Sequence, residues 1–281
     1  MRADRVRSVL YLPASNPRAV EKARTLACDV AILDLEDAVA PERKAEARAA
    51  AVEAVRAGGF TGRLGVRVNA LDTPWGLDDL AAMKAAGASL VVAPKVETPE
   101  AVHAISADLA KEADLWVMIE TPRALLNLTD IAEAGGALDG LMLGVNDLAK
   151  ALGTGAAPDR EPLKPWLSLV VAAARAHQLL AIDGVFNRID DADGLAEEAA
   201  QGRLYGFDGK SLIHPSQIEA ANRAFSPSDA EIAQARAIVA AFARPEAHDV
   251  GALRVDGAMV ERLHLAQAQA LLRRAEETEA N

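Results

Sequence analysis

The 281-residue chain predicts an α/β fold: a TIM (β/α)8 barrel over residues 1–225 followed by a C-terminal helical extension over residues 226–281. Three observations lead there. Eight short apolar runs recur, most without polar alternation, as parallel strands covered on both faces require. Their separations lie mostly in the twenties to low thirties, close to the ~30 residues of a βαβ unit. Helical patterns stopped by glycine stand between them, which is the grammar of a barrel. A doubly wound open sheet is the rival, but no glycine-rich dinucleotide fingerprint follows the first run.

The runs end near Pro13, Asp34, Val68, Ala93, Ile119, Leu143, Asp183 and Asp208. Asn16 is a good cap for a helix over 17–27, with proline at its first position. Helices over 42–57 and 75–86 stop at Gly58-Gly59 and Gly87, and further ones cover 99–111, 122–134 and 165–177. An eighth spans 216–224. Beyond it the pattern predicts a turn at Ser226-Pro227-Ser228, a helix over 229–243, a loop over 244–254, a last helix over 258–275, and no strand. This extension packs on its own barrel or covers a neighbour's site.

Composition narrows the class. Hydrophobic residues make up 51% and aromatics only 4%, so Ala, Val, Leu and Ile build the core, which suits closely packed helices and buried strands and argues against disorder. A formal charge of −11 disfavours nucleic acid and anionic membrane as partners. It leaves room for an anionic small ligand where basic residues cluster. Cys28 is the only cysteine, so no intramolecular disulfide or all-cysteine metal site is expected. Arg2, Arg5 and Arg7 precede an apolar stretch of only Val9-Leu10-Tyr11-Leu12. That is too short for a secretory or membrane segment, and a cytoplasmic enzyme is expected.

A parallel barrel gathers the C-terminal ends of its strands on one face, and here many of those ends are acidic. Glu120 and Asp147 come off consecutive runs and are the best candidates for metal ligands. Mg²⁺ commonly takes one or two protein carboxylates at about 2.0–2.1 Å and completes its shell with water and substrate oxygens. The simpler alternative is that Glu120 caps the helix beginning at Pro122 and Asp147 begins the next. The five histidines show no HxxxH spacing, so no competing zinc site is expected. Asp34-Leu35-Glu36-Asp37 reads either as a solvated acidic loop or as outer groups, Glu36 and Asp37 holding metal-bound waters or orienting a base.

Arg67 lies inside an apolar strand, where an unpaired guanidinium is very costly. It forms a structural ion bridge or, the favoured reading, offers a fork to a substrate carboxylate. Lys95 supplies a positive charge at the rim. Lys210 after Gly209 is a weak phosphate signal, and His214 before a proline is more often structural than catalytic.

Taken in order, Arg7-Ser8-Val9-Leu10-Tyr11-Leu12-Pro13-Ala14, Leu33-Asp34-Leu35-Glu36-Asp37-Ala38-Val39 with Lys44 and Ala47-Arg48, and Val66-Arg67-Val68-Asn69-Ala70 form the first half of a distinctive set. Pro94-Lys95-Val96-Glu97, Ile119-Glu120-Thr121 and Gly206-Phe207-Asp208-Gly209-Lys210 through Ile213-His214-Pro215-Ser216-Gln217 complete it. The set resembles the citrate lyase β-subunit-like family of the HpcH/HpaI aldolase superfamily, which includes malyl-CoA and citramalyl-CoA lyases. The resemblance implies a Mg²⁺-dependent carbon–carbon lyase that cleaves or forms a 3-hydroxyacyl-CoA thioester such as malyl-, citramalyl- or citryl-CoA by a retro-aldol or Claisen route.

It further implies Glu120 and Asp147 as metal ligands, Glu120 and Lys95 at the substrate, and Arg67 on the substrate carboxylate and enolate. Glu36 and Asp37 become supporting acids. The implied partners are an acyl-CoA and a small 2-oxo acid, and the implied assembly is a homotrimer or hexamer whose C-terminal segment reaches a neighbour's site. CoA phosphates would draw on Arg7, Arg18, Lys22, Lys95 and Lys210.

One position departs from the pattern. Lyase members carry Gly-x-Met-x-Asp near the C-terminus, with the Asp as acid/base from the adjacent subunit. Gly257-Ala258-Met259-Val260 is followed by Glu261, one methylene longer. A misplacement of ~1 Å in a positioned group costs on the order of 10²-fold in rate. Glu261 therefore leaves the identity or speed of the reaction open. A thioesterase releasing the free hydroxy acid is an alternative if a water is activated at the same site, and a non-catalytic metabolite-binding barrel is another, against which the intact set of Arg67, Glu120 and Asp147 speaks. A CoA-independent pyruvate aldolase is weaker, since its catalytic His has no counterpart.

Overall fold

The computed structural model describes residues 6–155, 157, 159–244 and 250–279, the side chains of 277–279 excepted. Its chain divides into one unit over Val6–Phe225 and a second from Ser226 onward.

In the first unit β1 (Ser8–Pro13), β2 (Val30–Asp34), β3 (Arg63–Arg67), β4 (Leu90–Ala93), β5 (Asp114–Ile119), β6 (Leu138–Leu143), β7 (Leu180–Asp183) and β8 (Gly209–Leu212) close into a barrel in sequence order. Every pair is parallel, and β8 returns to β1 through Ser8↔Lys210 and Leu10↔Leu212. The missing alternation has a plain cause. Val30, Ile32, Leu90, Val92, Trp116 and Ile182 join one buried cluster, while Ala31, Leu33, Val91, Ala93, Val117 and Ile119 join a second with the helices. Both strand faces are dry, so both are apolar.

The helices are α1 (Pro17–Ala23), α2 (Lys44–Ala57), α3 (Gly76–Ala86), α4 (Pro99–Ala107), α5 (Pro122–Leu126), α6 (Leu128–Glu133), α7 (Val145–Leu152), α8 (Lys164–Ala176), α9 (Ala192–Tyr205) and α10 (Ile218–Ala224). Asn16, Thr98 and Thr121 each cap a helix by accepting the backbone N–H three residues on, with proline next in line. Gly87 ends α3 at φ 77°, a left-handed conformation that favours glycine.

One expectation needs correction in this unit. The eighth strand does not end at Asp208 but begins at Gly209. Its Gly-Lys-Ser-Leu reads as polar because the Lys210 ammonium is buried by ion pairing rather than by apolar character. The helix before it, α9, buries only Leu195, Ala199 and Gly202, too few large apolar positions to mark it in the sequence.

The second unit contains α11 (Asp229–Phe242), β9 (Ala252–Val255), β10 (Ala258–Glu261) and α12 (Arg262–Glu279). The expectation of helices and loop without strands fails here. β9 and β10 form an antiparallel hairpin. Its two-residue turn, Asp256-Gly257, has φ 48° and 85°, the left-handed pair that Asp-Gly favours. The sequence carried that hairpin signal. Val255 and Val260 from the hairpin pack with Ala235, Ile238 and Ala268 in a separate small core. Of the expected loop, residues 245–249 lie outside the described residues, as do Arg2 and Arg5. Among the described residues no helix is long and apolar enough to cross a membrane.

Candidate active site

At the C-terminal ends of the strands lies a cavity of about 390 Å³ whose wall includes Tyr11, Asp34, Asp37, Arg67, Glu120 and Asp147. Four of the expected site residues thus meet, carried by β3, β5, α7 and the loop after β2.

Glu120 follows β5 and is 2% exposed. It does not cap α5, a role taken by Thr121, whose side chain accepts from Ala124. Its Oε1 instead accepts the Lys95 backbone N–H at 2.8 Å. A Cβ built on Gly144 would come within 2.4 Å of Glu120 Oε2, so glycine at the end of β6 leaves the space the carboxyl occupies. Burial pushes the Glu120 carboxyl up to about 7, and the neighbouring charge of Glu36 adds to the push. Asp147 stands in the first turn of α7, where an acid is favoured in any case.

These observations fit a divalent cation. Two carboxylates, one directly after β5 and one in the first turn of α7, face one cavity, and the more buried one is held at an unfavourable charge that a cation would relieve. Among the described residues no group of three or more His, Cys, Asp or Glu is placed to hold a metal alone. Two carboxylates with remaining oxygens from water and ligand is the Mg²⁺ pattern.

Arg67 corrects the favoured reading of its fork. Its Nε and Nη2 bond Asp34 Oδ1 and Oδ2 at 2.7 and 2.5 Å, so the bidentate face is taken by an ion bridge within the protein. Its guanidinium carbon lies 4.8 Å from the centroid of the Tyr11 ring, a stacking arrangement. Nη1 reaches Glu36 Oε2 at 3.0 Å and Asp37 at 3.9 Å. One edge, not a fork, is directed at the acids of the rim. Asp34, whose role was open, is a structural anchor that also accepts from the Glu36 and Ala38 amides.

Glu36 is 5% exposed and stands between two cations, Arg67 Nη1 and Lys95 Nζ, the latter at 2.5 Å from Oε1. Burial raises its carboxyl above the ordinary range, and Arg67 and Lys95 offset part of that. Its Oε2 has no well-directed hydrogen bond despite the short approach of Arg67. Asp37 is largely exposed on the cavity wall.

A support beneath this loop escaped the sequence. The buried Lys44 ammonium donates to the Leu35 and Glu36 carbonyls and to Asn69 Oδ1, each at 2.7 Å. Asn69 in turn donates to Asp79 through its backbone and side-chain N–H groups, and Asp79 accepts from Arg48 Nε at 2.6 Å. The spacing of Lys44 and Arg48 on one helix face was the available signal.

Other candidates fall away. Lys210 cannot hold a phosphate: it is 0% exposed and donates to Asp183, Gly184 O and Glu198. Asp183 also accepts from Arg160 Nη1 at 2.7 Å. Arg7 is committed to Asp29 through Nε and Nη2. His214 caps the turn at Pro215–Gln217, as its structural reading expects. Glu261 ends β10 in the second unit, where its backbone N–H donates to His264 Nδ1.

Known proteins give the same setting. The HpcH/HpaI aldolase/citrate lyase family matches residues 7–215. A (3S)-malyl-CoA thioesterase of Cereibacter sphaeroides is 47% identical over 271 residues, covering 96% of this chain and 94% of the relative. An L-malyl-CoA/beta-methylmalyl-CoA lyase of the same organism is 34% identical over 300 residues, with coverage of 96% and 94%. Of solved structures, CitE from Mycobacterium tuberculosis in complex with magnesium, acetoacetate and coenzyme A has TM-score 0.82 and 34% identity, covering 96% of this chain and 97% of that one. With a closed eight-stranded parallel barrel, this family match and these identities, the chain belongs to the HpcH/HpaI aldolase/citrate lyase family.

Proposed function

We propose that the chain is a Mg²⁺-dependent enzyme acting on a malyl-CoA-type 3-hydroxyacyl thioester, and that hydrolysis to the free hydroxy acid and CoA is its net reaction. The observation that carries the site is the pair Glu120 and Asp147 facing one cavity beside Arg67, with more acids than bases around it. Hydrolysis is favoured over carbon–carbon cleavage by the 47% identity to a malyl-CoA thioesterase and by Glu261 standing where lyases carry Asp.

Glu120 and Asp147 would hold the cation, which when bound supplies Lewis acidity and a template for the hydroxy-acid oxygens. Arg67 offers its Nη1 edge to negative charge developing on the thioester oxygen, its orientation held by Asp34. Asp37, only loosely paired at 3.9 Å, takes the proton of the attacking water. That water's oxygen bonds to the thioester carbon, the C–S bond breaks, and the CoA sulfur leaves with a proton.

Carbon–carbon cleavage is the second reading, supported by the lyase relative at 34% identity. In it Glu261, reaching in from a neighbouring subunit of a homotrimer or hexamer, protonates the acetyl-CoA enolate. Incubation with (3S)-malyl-CoA and Mg²⁺ decides between them by mass spectrometry. Free CoA with malate is expected; acetyl-CoA with glyoxylate would establish the lyase instead. Mixing Arg67 and Glu261 variant chains tests the shared site, and absence of any rescue would remove Glu261 from it.

A further inference from the structure

Lys95 holds a backbone conformation that side chains avoid. Among the described residues only Lys95, Arg160, Gln178 and Asp256 have positive φ without being glycine, and Lys95 sits at φ 53°. It directly follows Pro94 at the end of β4, on the strand beside that of Glu120. This conformation has a visible consequence. The Lys95 backbone N–H donates to Glu120 Oε1 at 2.8 Å, while the side-chain ammonium pairs with Glu36 at 2.5 Å. The opposite flank of Glu120 is closed by Gly144, where a Cβ would meet Oε2 at 2.4 Å.

We infer that Lys95 is a positioning residue whose left-handed backbone, with the bare backbone of Gly144, clamps the Glu120 carboxyl in the orientation that a divalent cation requires. The ammonium is not what performs this task. It neutralises Glu36, and losing it leaves the rim more negative, which does not weaken cation binding. The backbone and the charge of one residue are therefore separable by substitution. The inference rests on the reading of Glu120 as a cation ligand.

The test compares two neutral replacements by Mn²⁺ titration, read by electron paramagnetic resonance rather than by turnover. Lys95→Gly keeps the N–H and adopts positive φ freely, so its Mn²⁺ affinity should stay within about threefold of the unsubstituted chain. Lys95→Val carries the same charge change but resists this conformation through its branched Cβ. Its affinity should fall by about tenfold or more. Lys95→Asn, which tolerates the left-handed region, should follow the glycine variant. Gly144→Ala should also weaken Mn²⁺ binding. Where Val does not fold, as judged by circular dichroism, Lys95→Ala takes its place. Equal affinities for the Gly and Val variants, or a Gly variant as weak as Val, would overturn the inference while leaving the cation reading intact. If the unsubstituted chain itself fails to bind Mn²⁺, both fall.

Discussion

Two buried ion clusters stand at the C-terminal ends of the strands, and they are built on opposite principles. Around β7 and β8, Asp183 and Glu198 face Lys210 and Arg160: two acids for two bases, with Asp183 and Lys210 fully buried. Around β2 to β6, Asp34, Glu36 and Glu120 face Arg67 and Lys95, with Asp37 and Asp147 beside them at the cavity. The first cluster is balanced and self-contained. The second carries surplus acid.

Titration follows the balance. Burial alone would raise the Asp183 carboxyl, but Lys210 and Arg160 together hold it below its ordinary value. Glu120 is pushed the other way, to about 7, by burial and then by Glu36. Charge neutrality marks a structural cluster, and unrelieved charge on a cavity wall marks a place for a ligand.

Breaking the balanced cluster should have the largest effect on stability. Asp183→Asn leaves two buried cations short of a partner and should destabilise the barrel by about 3–5 kcal/mol, measured by urea unfolding. A loss under about 1 kcal/mol would show that the cluster is not a closed unit.

The opposite substitution, Glu120→Gln, should lower Mg²⁺ or Mn²⁺ affinity more than about 100-fold, beyond what an outer-sphere change costs. Asp147→Asn should act in the same direction. Unchanged affinity in either variant removes that residue from the cation site.

In the absence of cation, Glu120→Gln should also make the protein more stable at pH 8. The gain is up to roughly 3 kcal/mol, the equivalent of a shift from 4.5 to about 7. The sign follows from linkage. A carboxyl whose folded pKa lies above its unfolded one stabilises the fold most below pH 4.5, and that contribution is lost as pH rises through about 7. Cation-free unfolding temperature should therefore fall between pH 5 and pH 8 by more in the unsubstituted chain than in Glu120→Gln. Cation affinity should rise over the same interval. Asp183, with its lowered pKa, contributes in the reverse sense: its stabilisation stands at neutral pH and disappears only as strong acid is reached.

The smallest effect is expected from Glu36→Gln. Arg67 keeps Asp34, the partly exposed Lys95 ammonium turns to water, and the lost carboxyl is one whose ionised form burial already disfavours, so stability should change by less than in Asp183→Asn, measured by urea unfolding. With one like charge removed, the pH midpoint of cation binding should move downward. A midpoint that stays in place would show that Glu36 does not act on Glu120.

The barrel was legible because its causes are local and repeated: apolar runs at βαβ spacing, Asn or Thr caps before proline, glycine stops. Arg67, Glu120 and Asp147 stood out because each follows or interrupts an apolar run, and β3, β5 and β6 deliver them to one face. The hairpin of β9 and β10 is written in the sequence as Asp256-Gly257, but each flanking strand has only four residues, too few for alternation to stand out. Lys210 misled because a lysine between glycine and serine looks solvated unless its partners are known.

What residue order determined by itself is the register of apolar runs, and with it the closed parallel barrel and the face on which its acids gather. What tertiary structure decided is how those charges pair. Asp34 takes the fork of Arg67 across 33 residues of sequence, Lys210 takes Asp183 across 27, and Lys95 takes Glu36 across 59. Periodicity is a property of neighbours along the chain, so it can be read from the chain. Ion pairing in a low-dielectric interior depends on which side chains converge and how many of each sign arrive, and only the folded barrel sets that count.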